Sequence, residues 1–136
     1  MTHKIYDKLV RDGIPHILET NGLKFKAEYV TDKECVKYVM RKLGEESAEL
    51  FEAMLLNSRD KIVSELADVL SVMFKICMVY DIDPQVIIEA EEDKSEANGF
   101  FDDNCILKYV DEPIETQKAV PVKPKKPRKK KTDEEK

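Results

Sequence analysis

The chain has 136 residues, of which 42% are hydrophobic and 38% are charged, and its formal net charge is −5. This length suits one domain with a single core beneath a heavily charged surface. No apolar run reaches the roughly 18 residues of a membrane span, and the N-terminus has no apolar stretch typical of a secretory signal. Three widely spaced cysteines without a CxxC pair argue against a disulfide framework. They favour a reducing, cytoplasmic location.

The charge is divided unevenly along the chain. Residues 118–136 contain nine Lys or Arg and three Asp or Glu, a net of +6, which leaves −11 for residues 1–117. We therefore predict one domain over residues 1–117 and a disordered, basic, Lys- and Pro-rich tail over 118–136. An acidic domain does not suit nonspecific nucleic-acid binding. The tail is open to three interpretations: a weak nucleic-acid contact, a nuclear-localisation signal in a eukaryotic host, or a solubilising segment.

The N-terminal part of the chain predicts a short helix and a short strand. Pro15 suits the start of a helix that runs to about Glu19, and Asn21-Gly22 suits its end. Residues 23–30 then alternate between apolar and charged side chains. This period of two predicts a half-buried strand.

A long helix follows. Thr31 suits its N-cap, and Glu34 completes a capping box three residues later. The predicted buried stripe of this helix consists of residues at helical spacing: Val36, Met40, Leu43, Ser47, Leu50 and Met54. At about 100° per residue, Glu46 lies about 60° and Glu49 about 120° from this stripe, so both flank the predicted buried face.

A second long helix begins after Asn57, with Ser58 as its predicted N-cap, and runs to about Tyr80. From Leu66 onward this helix is apolar on almost every side, which is typical of a helix that is buried on most faces. Asp68 lies inside this apolar run. An unpaired buried carboxylate is costly, so we expect Asp68 to have a cation or strong hydrogen-bond donors beside it.

A third helix and a second strand are predicted further along. Asp83 suits the N-cap and Pro84 the first turn of a helix that runs to about Ala97, and Gly99 suits a left-handed cap. Residues 105–110 are mostly apolar and predict a short strand that pairs with the earlier one.

The two long helices each carry a pair of acids three residues apart, which places each pair on one helix face. The pairs are Glu46 with Glu49, and Glu65 with Asp68. Four converging carboxylates repel one another unless a cation neutralises them, and oxygen ligands of this kind suit Mg²⁺ or Mn²⁺. The simpler alternative for the glutamates is a solvated helix face, since Glu is a strong helix former.

These motifs resemble those of a known superfamily. The run KLGEESAEL and the later ELAD resemble the EExxE…ExxD signature of the all-α nucleoside triphosphate pyrophosphohydrolases, which include MazG-like proteins and phosphoribosyl-ATP pyrophosphohydrolase. The opening YDKLVRDGIP is similar to the YNKLVRDKIP start of a small MazG-like branch described as phosphoribosyl-ATP pyrophosphohydrolase-like. The run KSEANGFFDDNCIL resembles the end of that branch, so the matches span residues 4–110.

The resemblance implies a mainly α fold: a helical bundle of the all-α NTP pyrophosphatase type with short accessory strands. It implies Mg²⁺-dependent cleavage of a nucleotide between its α and β phosphates, giving a nucleoside monophosphate and pyrophosphate, with Mn²⁺ as a substitute ion. Carried over to this chain, the metal ligands are Glu46, Glu49, Glu65 and Asp68, and the catalytic residue is Glu45, which orients a water or a ligand. The positions that match substrate contacts are Lys8, Arg11, Lys94 and Asn98.

The quaternary structure and two rival functions complete the predictions. Apolar residues around the second long helix exceed what one small chain can cover, so we expect a homodimer or a higher homo-oligomer, as the resemblance also implies. One rival function is phosphoribosyl-ATP hydrolysis by a dedicated biosynthetic enzyme. The other is a noncatalytic helical interaction module, tethered to nucleic acid by the basic tail, for which metal would be irrelevant.

Overall fold

A computed structural model describes residue 2 and residues 4–111, and its helices account for most of them. The helices are α1 (Ile14–Thr20), α2 (Asp32–Leu55), α3 (Arg59–Val79) and α4 (Pro84–Asn98). Among the described helices, α2 and α3 form the one extended interface. Of the described residues, those up to Gly99 form one compact unit, and those from Phe100 to Asp111 belong to a second one. The predicted mainly α fold is confirmed.

The N-termini of the helices follow from local side-chain chemistry. The Thr31 hydroxyl accepts a hydrogen bond from the Glu34 N–H at 3.3 Å, and the Asp83 carboxylate accepts one from the Gln85 N–H at 2.9 Å. Both bonds satisfy N–H groups that a helix start leaves without a partner. Ser58 occupies the N-cap of α3 as predicted, although its side chain makes no capping hydrogen bond.

Three of the helices end in the same kind of turn, in which the second residue after the helix has a positive φ. These residues are Gly22 (+70°), Asn57 (+51°) and Asp81 (+53°). After α2, the Ser58 N–H donates to the Ala53 carbonyl at 3.3 Å, which is the longer bond of a Schellman motif. This turn joins α2 to α3 in three residues, so the two helices run antiparallel as a hairpin.

The hairpin interface is formed by two stripes of buried and half-buried residues that are three or four positions apart. The α2 stripe consists of Cys35, Val39, Leu43, Glu46, Leu50 and Ala53. The α3 stripe consists of Ile62, Glu65, Val69, Val72, Ile76 and Val79. Cys35, Val39 and Val72 form the centre of the apolar core, and Leu9 from the N-terminal segment packs against it. Each stripe is apolar except for one glutamate.

The predicted stripe of α2 is wrong by about one position. Met40 and Met54, which the spacing placed in the core, are 69% and 57% exposed, whereas Val39 and Ala53 are buried. Apolar residues occur on adjacent faces of α2, so spacing alone does not select a face, and the contact with α3 does. The corrected stripe contains Glu46 itself, which is therefore buried and does not merely flank the core.

The two predicted strands are also wrong. Residues 23–30 and 105–110 have no regular secondary structure, and the described part of the chain contains no strand. Side chains that the alternation placed on a buried face are exposed, among them Leu23 and Tyr29. A strand is stable only when its N–H and C=O groups form hydrogen bonds with a neighbouring strand. The alternating pattern of one segment does not show whether such a neighbour exists.

Three further predictions concern the chain as a whole. Cys35 and Cys77 are buried free thiols and Cys105 is an exposed one, in agreement with the absence of a disulfide framework. No helix within the described ranges combines the length and the apolar content needed to cross a membrane. The predicted basic tail, 118–136, lies outside the described residues, and the domain boundary at residue 117 stays a prediction.

One face of α3 is left uncovered in the single chain. This α3 outer face consists of apolar residues that are each 43–58% exposed: Val63, Leu66, Leu70, Met73 and Phe74. Since α2 is the one described helix with an extended interface on α3, the expected burial of α3 on most faces does not occur within one chain.

Candidate metal centre

Three glutamates at the hairpin interface bring their carboxylates together. Glu46 and Glu49 from α2 and Glu65 from α3 each offer one oxygen, and these atoms lie within 4.8 Å of one another. This carboxylate cluster contains two buried oxygens, Oε2 of Glu46 and Oε2 of Glu65, that have no hydrogen-bond partner among the described residues. A buried polar atom without a partner costs free energy. A cation bound at this cluster would reduce that cost.

The charges at the carboxylate cluster are not balanced. The Lys42 ammonium lies 3.1 Å from Oε1 of Glu46, so three carboxylates face one cation. Burial raises the pKa of the Glu49 carboxyl, and the neighbouring charges of Glu46 and Glu65 raise it further. The pKa of a carboxyl rises when other carboxylates lie close to it, because a bound proton reduces the repulsion between them. A bound metal cation would reduce the same repulsion.

Lys42 is a fixed part of this centre. Its side chain is 19% exposed, and burial by itself would lower its pKa. The hydrogen bond to Glu46 and the charges of Glu45 and Glu46 outweigh that effect, so the pKa of Lys42 is raised. Lys42 therefore stays protonated beside Glu46 and offsets part of the negative charge.

Glu45 differs from the three clustered glutamates because two lysines hold it. Its Oε1 accepts hydrogen bonds from Lys8 Nζ at 3.0 Å and from Lys42 Nζ at 3.5 Å. The hydrogen bond from Lys8 is the main cause of a lowered Glu45 pKa, although burial opposes it. A carboxylate kept ionised by two ammonium groups is a weak base. It suits orientation of a cation or a water better than removal of a proton.

Asp68 lies outside the carboxylate cluster and is paired with Arg11. Oδ1 of Asp68 lies 2.6 Å from Nη2 of Arg11, and the same nitrogen donates to the Ser71 hydroxyl at 3.2 Å. The expectation that Asp68 has a cation beside it is confirmed, and that cation is a side chain of the N-terminal segment. The assignment of Asp68 as a metal ligand stays a prediction.

The predicted substrate-binding residues fall into two groups. Lys8 and Arg11 lie at the centre, each bound to one of its acids. Lys94 and Asn98 lie near the C-terminus of α4, and no described contact joins them to the carboxylate cluster. Their proposed contact with substrate therefore has no support in the packing of a single chain.

Two residues of the centre were missed in the sequence. Lys42 lies four residues before Glu46, and Ser71 lies three residues after Asp68, so both occupy spacings at which helical side chains meet. That spacing was the available signal. The pairing of Arg11 with Asp68 has no such signal, because 57 residues separate them in the chain.

Comparison with known proteins agrees with this arrangement. The family model described as phosphoribosyl-ATP pyrophosphohydrolase matches residues 16–95, which include α2, α3 and the whole carboxylate cluster. A helical hairpin with acids at its interface is the framework that the resemblance to all-α pyrophosphohydrolases implied. The chain belongs to the phosphoribosyl-ATP pyrophosphohydrolase family, within the all-α NTP pyrophosphohydrolase (MazG-like) superfamily.

Several curated relatives carry the same name. The phosphoribosyl-ATP pyrophosphatase of Saccharolobus islandicus is 30% identical over 87 residues, which cover 64% of this chain and 90% of the relative. That of Saccharolobus solfataricus is 29% identical over the same length and shares. That of Sulfurisphaera tokodaii is 35% identical over 52 residues, covering 38% of this chain and 55% of the relative. The search of solved structures gave no match.

Family membership decides between the classes of function. The chain is an enzyme, a hydrolase that acts on a pyrophosphate bond of a nucleotide. The alternative of a noncatalytic helical module is not supported by these relatives. Residues 4–15, which include Lys8 and Arg11, precede the matched region.

Proposed function

We propose that the protein is a Mg²⁺-dependent pyrophosphohydrolase that cleaves a nucleoside triphosphate between its α and β phosphates. The products are a nucleoside monophosphate and pyrophosphate. The observation that carries this proposal is the pair of buried, unpartnered oxygens of Glu46 and Glu65 in a cluster with Glu49. Mg²⁺ and Mn²⁺ prefer carboxylate oxygens, and three acids beside one lysine favour a divalent cation.

The donor set fits such an ion. Glu46, Glu49 and Glu65 would hold it, with Asp68 as the further ligand that the motif suggests. When bound, the ion offsets the charge on the leaving pyrophosphate and lowers the pKa of a bound water. Lys42, whose ammonium lies 3.1 Å from Oε1 of Glu46, pairs with this carboxylate and holds it in position. Glu45, held by Lys8 and Lys42, orients the attacking water or a ligand, and a carboxylate that is not fully used as a ligand accepts the proton.

A second candidate substrate is phosphoribosyl-ATP, and the names of the relatives favour it. The same carboxylate cluster serves either substrate, because phosphoribosyl-ATP and an ordinary nucleoside triphosphate both present a triphosphate. The two candidates differ in the range of substrates accepted. A dedicated biosynthetic enzyme prefers phosphoribosyl-ATP strongly, whereas an enzyme that removes noncanonical nucleotides accepts several triphosphates.

We further propose that the active form is a homodimer or a higher homo-oligomer. The support is the α3 outer face, which presents five large apolar side chains on a helix that has one extended partner in its own chain. A contiguous apolar surface of this kind is unusual on a monomeric protein.

A cytoplasmic location, which the free cysteines favour, is likewise a proposal, as is weak nucleic-acid contact through the tail.

The test is release of pyrophosphate from a panel of canonical and modified nucleoside triphosphates and from phosphoribosyl-ATP, measured in Mg²⁺ and in EDTA. We expect release in Mg²⁺ alone, and a loss of about 100-fold or more in Glu46→Gln and in Asp68→Ala. Glu52→Gln is the matched control, because Glu52 is exposed on the same helix, and it should retain full activity. Release that persists in EDTA, or no release from any substrate, would contradict the proposal.

A further inference from the structure

Two cations of the N-terminal segment lie on acids of the candidate centre. Lys8 is bound to Glu45 and Arg11 to Asp68, at 3.0 and 2.6 Å. Lys8 and Arg11 differ in the number of cations that their partner acids have. Glu45 already has Lys42 as a second cation, whereas the pair with Arg11 is the one ion pair that Asp68 makes with the described residues. The charge of Asp68 is therefore neutralised by a single side chain.

The Arg11–Asp68 pair is suited to exchange. The Arg11 side chain is 61% exposed, so water screens the pair and its net stabilisation is small. Lys42 is mostly buried, and its departure would leave the buried Glu46 carboxylate without a paired cation. Of the three cations at the centre, Lys42 is thus fixed, whereas Arg11 can be displaced by a divalent cation that competes for the same carboxylate.

We infer that Arg11 is an exchangeable counter-cation of the centre. It neutralises Asp68 while no divalent cation is bound, and it yields Asp68 to that cation when the metal binds. The released guanidinium is then free to donate hydrogen bonds to the phosphates of the nucleotide, for which its planar fork is suited. This inference rests on the proposed function and adds a specific role for the segment before α1.

If Arg11 competes with the metal for Asp68, replacing Arg11 should strengthen Mg²⁺ binding and weaken catalysis. Removal of Arg11 removes a competitor for Asp68, so Arg11→Gln should bind Mg²⁺ more tightly than the wild type, by about threefold to tenfold. The same variant loses the phosphate contact, so its kcat/KM for the nucleotide should fall by about tenfold or more. A residue that only positions Asp68 predicts the opposite change in Mg²⁺ affinity, because its loss would leave the ligand disordered.

Calorimetric titration of the full chain with Mg²⁺ measures the first effect without any turnover. Arg59→Gln is the matched control for net charge, since Arg59 is an exposed arginine at the start of α3, and its Mg²⁺ affinity should equal that of the wild type. Ser71→Ala provides a charge-neutral variant. It removes the second hydrogen bond of Arg11, and it should tighten Mg²⁺ binding by about twofold.

A spectroscopic readout follows Arg11 directly. Its guanidinium ¹⁵N resonance, assigned by its loss in Arg11→Gln, should move towards that of a free arginine as Mg²⁺ is added to the wild type. If Arg11→Gln binds Mg²⁺ no better than Arg59→Gln, or the resonance does not move at saturating Mg²⁺, the exchange role is overturned and the proposed function stands. If the wild type neither binds Mg²⁺ nor releases pyrophosphate, both are overturned.

Discussion

Glu49 carries the clearest electrostatic signature of the carboxylate cluster. Burial and the charges of Glu46 and Glu65 raise the pKa of its carboxyl. A carboxyl whose pKa is higher in the folded chain than in the unfolded chain lowers the stability of the fold once it is ionised. This loss of stability begins as the pH rises above the unfolded-state pKa and is complete above the folded-state pKa. In the metal-free protein at neutral pH, Glu49 therefore opposes folding. In the proposed Mg²⁺ complex, the same charge would be favourable.

We predict that Glu49→Gln stabilises the metal-free protein. Its Tm in EDTA at pH 7 should exceed that of the wild type by a small margin, because Glu49 is exposed and water screens its charge. Below the ordinary pKa of glutamate the two proteins should melt together, because Glu49 is then protonated in both the folded and the unfolded chain. The difference should open as the pH rises above that range. Thermal melts across the pH range in EDTA measure it.

The same melts in the presence of Mg²⁺ test whether Glu49 is a metal ligand. Mg²⁺ should raise the Tm of the wild type and have little effect on Glu49→Gln, because the cluster has lost a ligand. Glu52→Gln, on the exposed side of the same helix, should behave as the wild type in both conditions. A metal-free Glu49→Gln protein that melts below the wild type at pH 7 would show that the cluster is not strained by its charge.

At the scale of the elements, the α2 and α3 stripes are two apolar surfaces, each interrupted by one glutamate. Glu65 lies between Ile62 and Val69, and its Oε2 is buried without a partner. A leucine at this position would continue the apolar stripe and remove an unsatisfied oxygen. The hairpin is thus less stable than its pattern allows, as expected where a functional site interrupts a core.

Glu65→Leu should therefore stabilise the metal-free hairpin while abolishing activity. We expect the free energy of unfolding in EDTA to rise by about 1–3 kcal/mol, from the added apolar burial and the loss of the unpartnered oxygen. Urea unfolding at a fixed protein concentration measures this change. Glu52→Leu, on the exposed surface of α2, should change it by less than about 0.5 kcal/mol. A less stable Glu65→Leu protein would mean that Glu65 has a stabilising partner in solution.

The elements also show what could be predicted from the sequence. Helix starts and ends depend on a few neighbouring residues, and the caps at Thr31 and Asp83 and the breaks at Gly22 and Asn57 were predicted correctly. The face that α2 buries was predicted about one position away, because it depends on contact with α3. The strands were wrong for the same reason, since a strand depends on a partner elsewhere in the chain.

Most residues of the candidate site could be predicted from the sequence, but the contacts between distant residues could not. The acid motif indicated Glu46, Glu49 and Glu65, and α2 and α3 bring these three residues together. The resemblance alone indicated Lys8 and Arg11, and nothing in the spacing indicated which acids they contact. Contacts between residues that lie far apart in the chain require the packed hairpin, so the pairing of Arg11 with Asp68 could not be predicted.

At the scale of the whole molecule, the α3 outer face is the basis of the proposed assembly. It leaves more apolar surface in water than a stable monomer usually does, so a second copy of the chain is expected to cover it. Leu70 lies near the middle of this face. A charge at Leu70 would have to be buried in the interface, which is costly.

Leu70→Glu should shift the protein from an oligomer to a monomer and lower its Tm by about 5 °C or more. Size-exclusion chromatography with light scattering measures the mass in solution. Gln85→Glu adds the same charge on α4, outside this face, and should leave the mass unchanged. A wild-type protein that is already monomeric at micromolar concentration would refute the proposed assembly, although not the proposed metal centre.

The central claim is that the carboxylate cluster at the α2–α3 interface binds a divalent cation. Anomalous diffraction from crystals grown with Mn²⁺ tests it most directly, because the signal locates the ion independently of any substrate. We predict a strong Mn²⁺ peak in direct contact with oxygens of Glu46, Glu49 and Glu65, and its loss in crystals of Glu46→Gln. Ordered crystals in saturating Mn²⁺ with no peak at these glutamates would contradict the account.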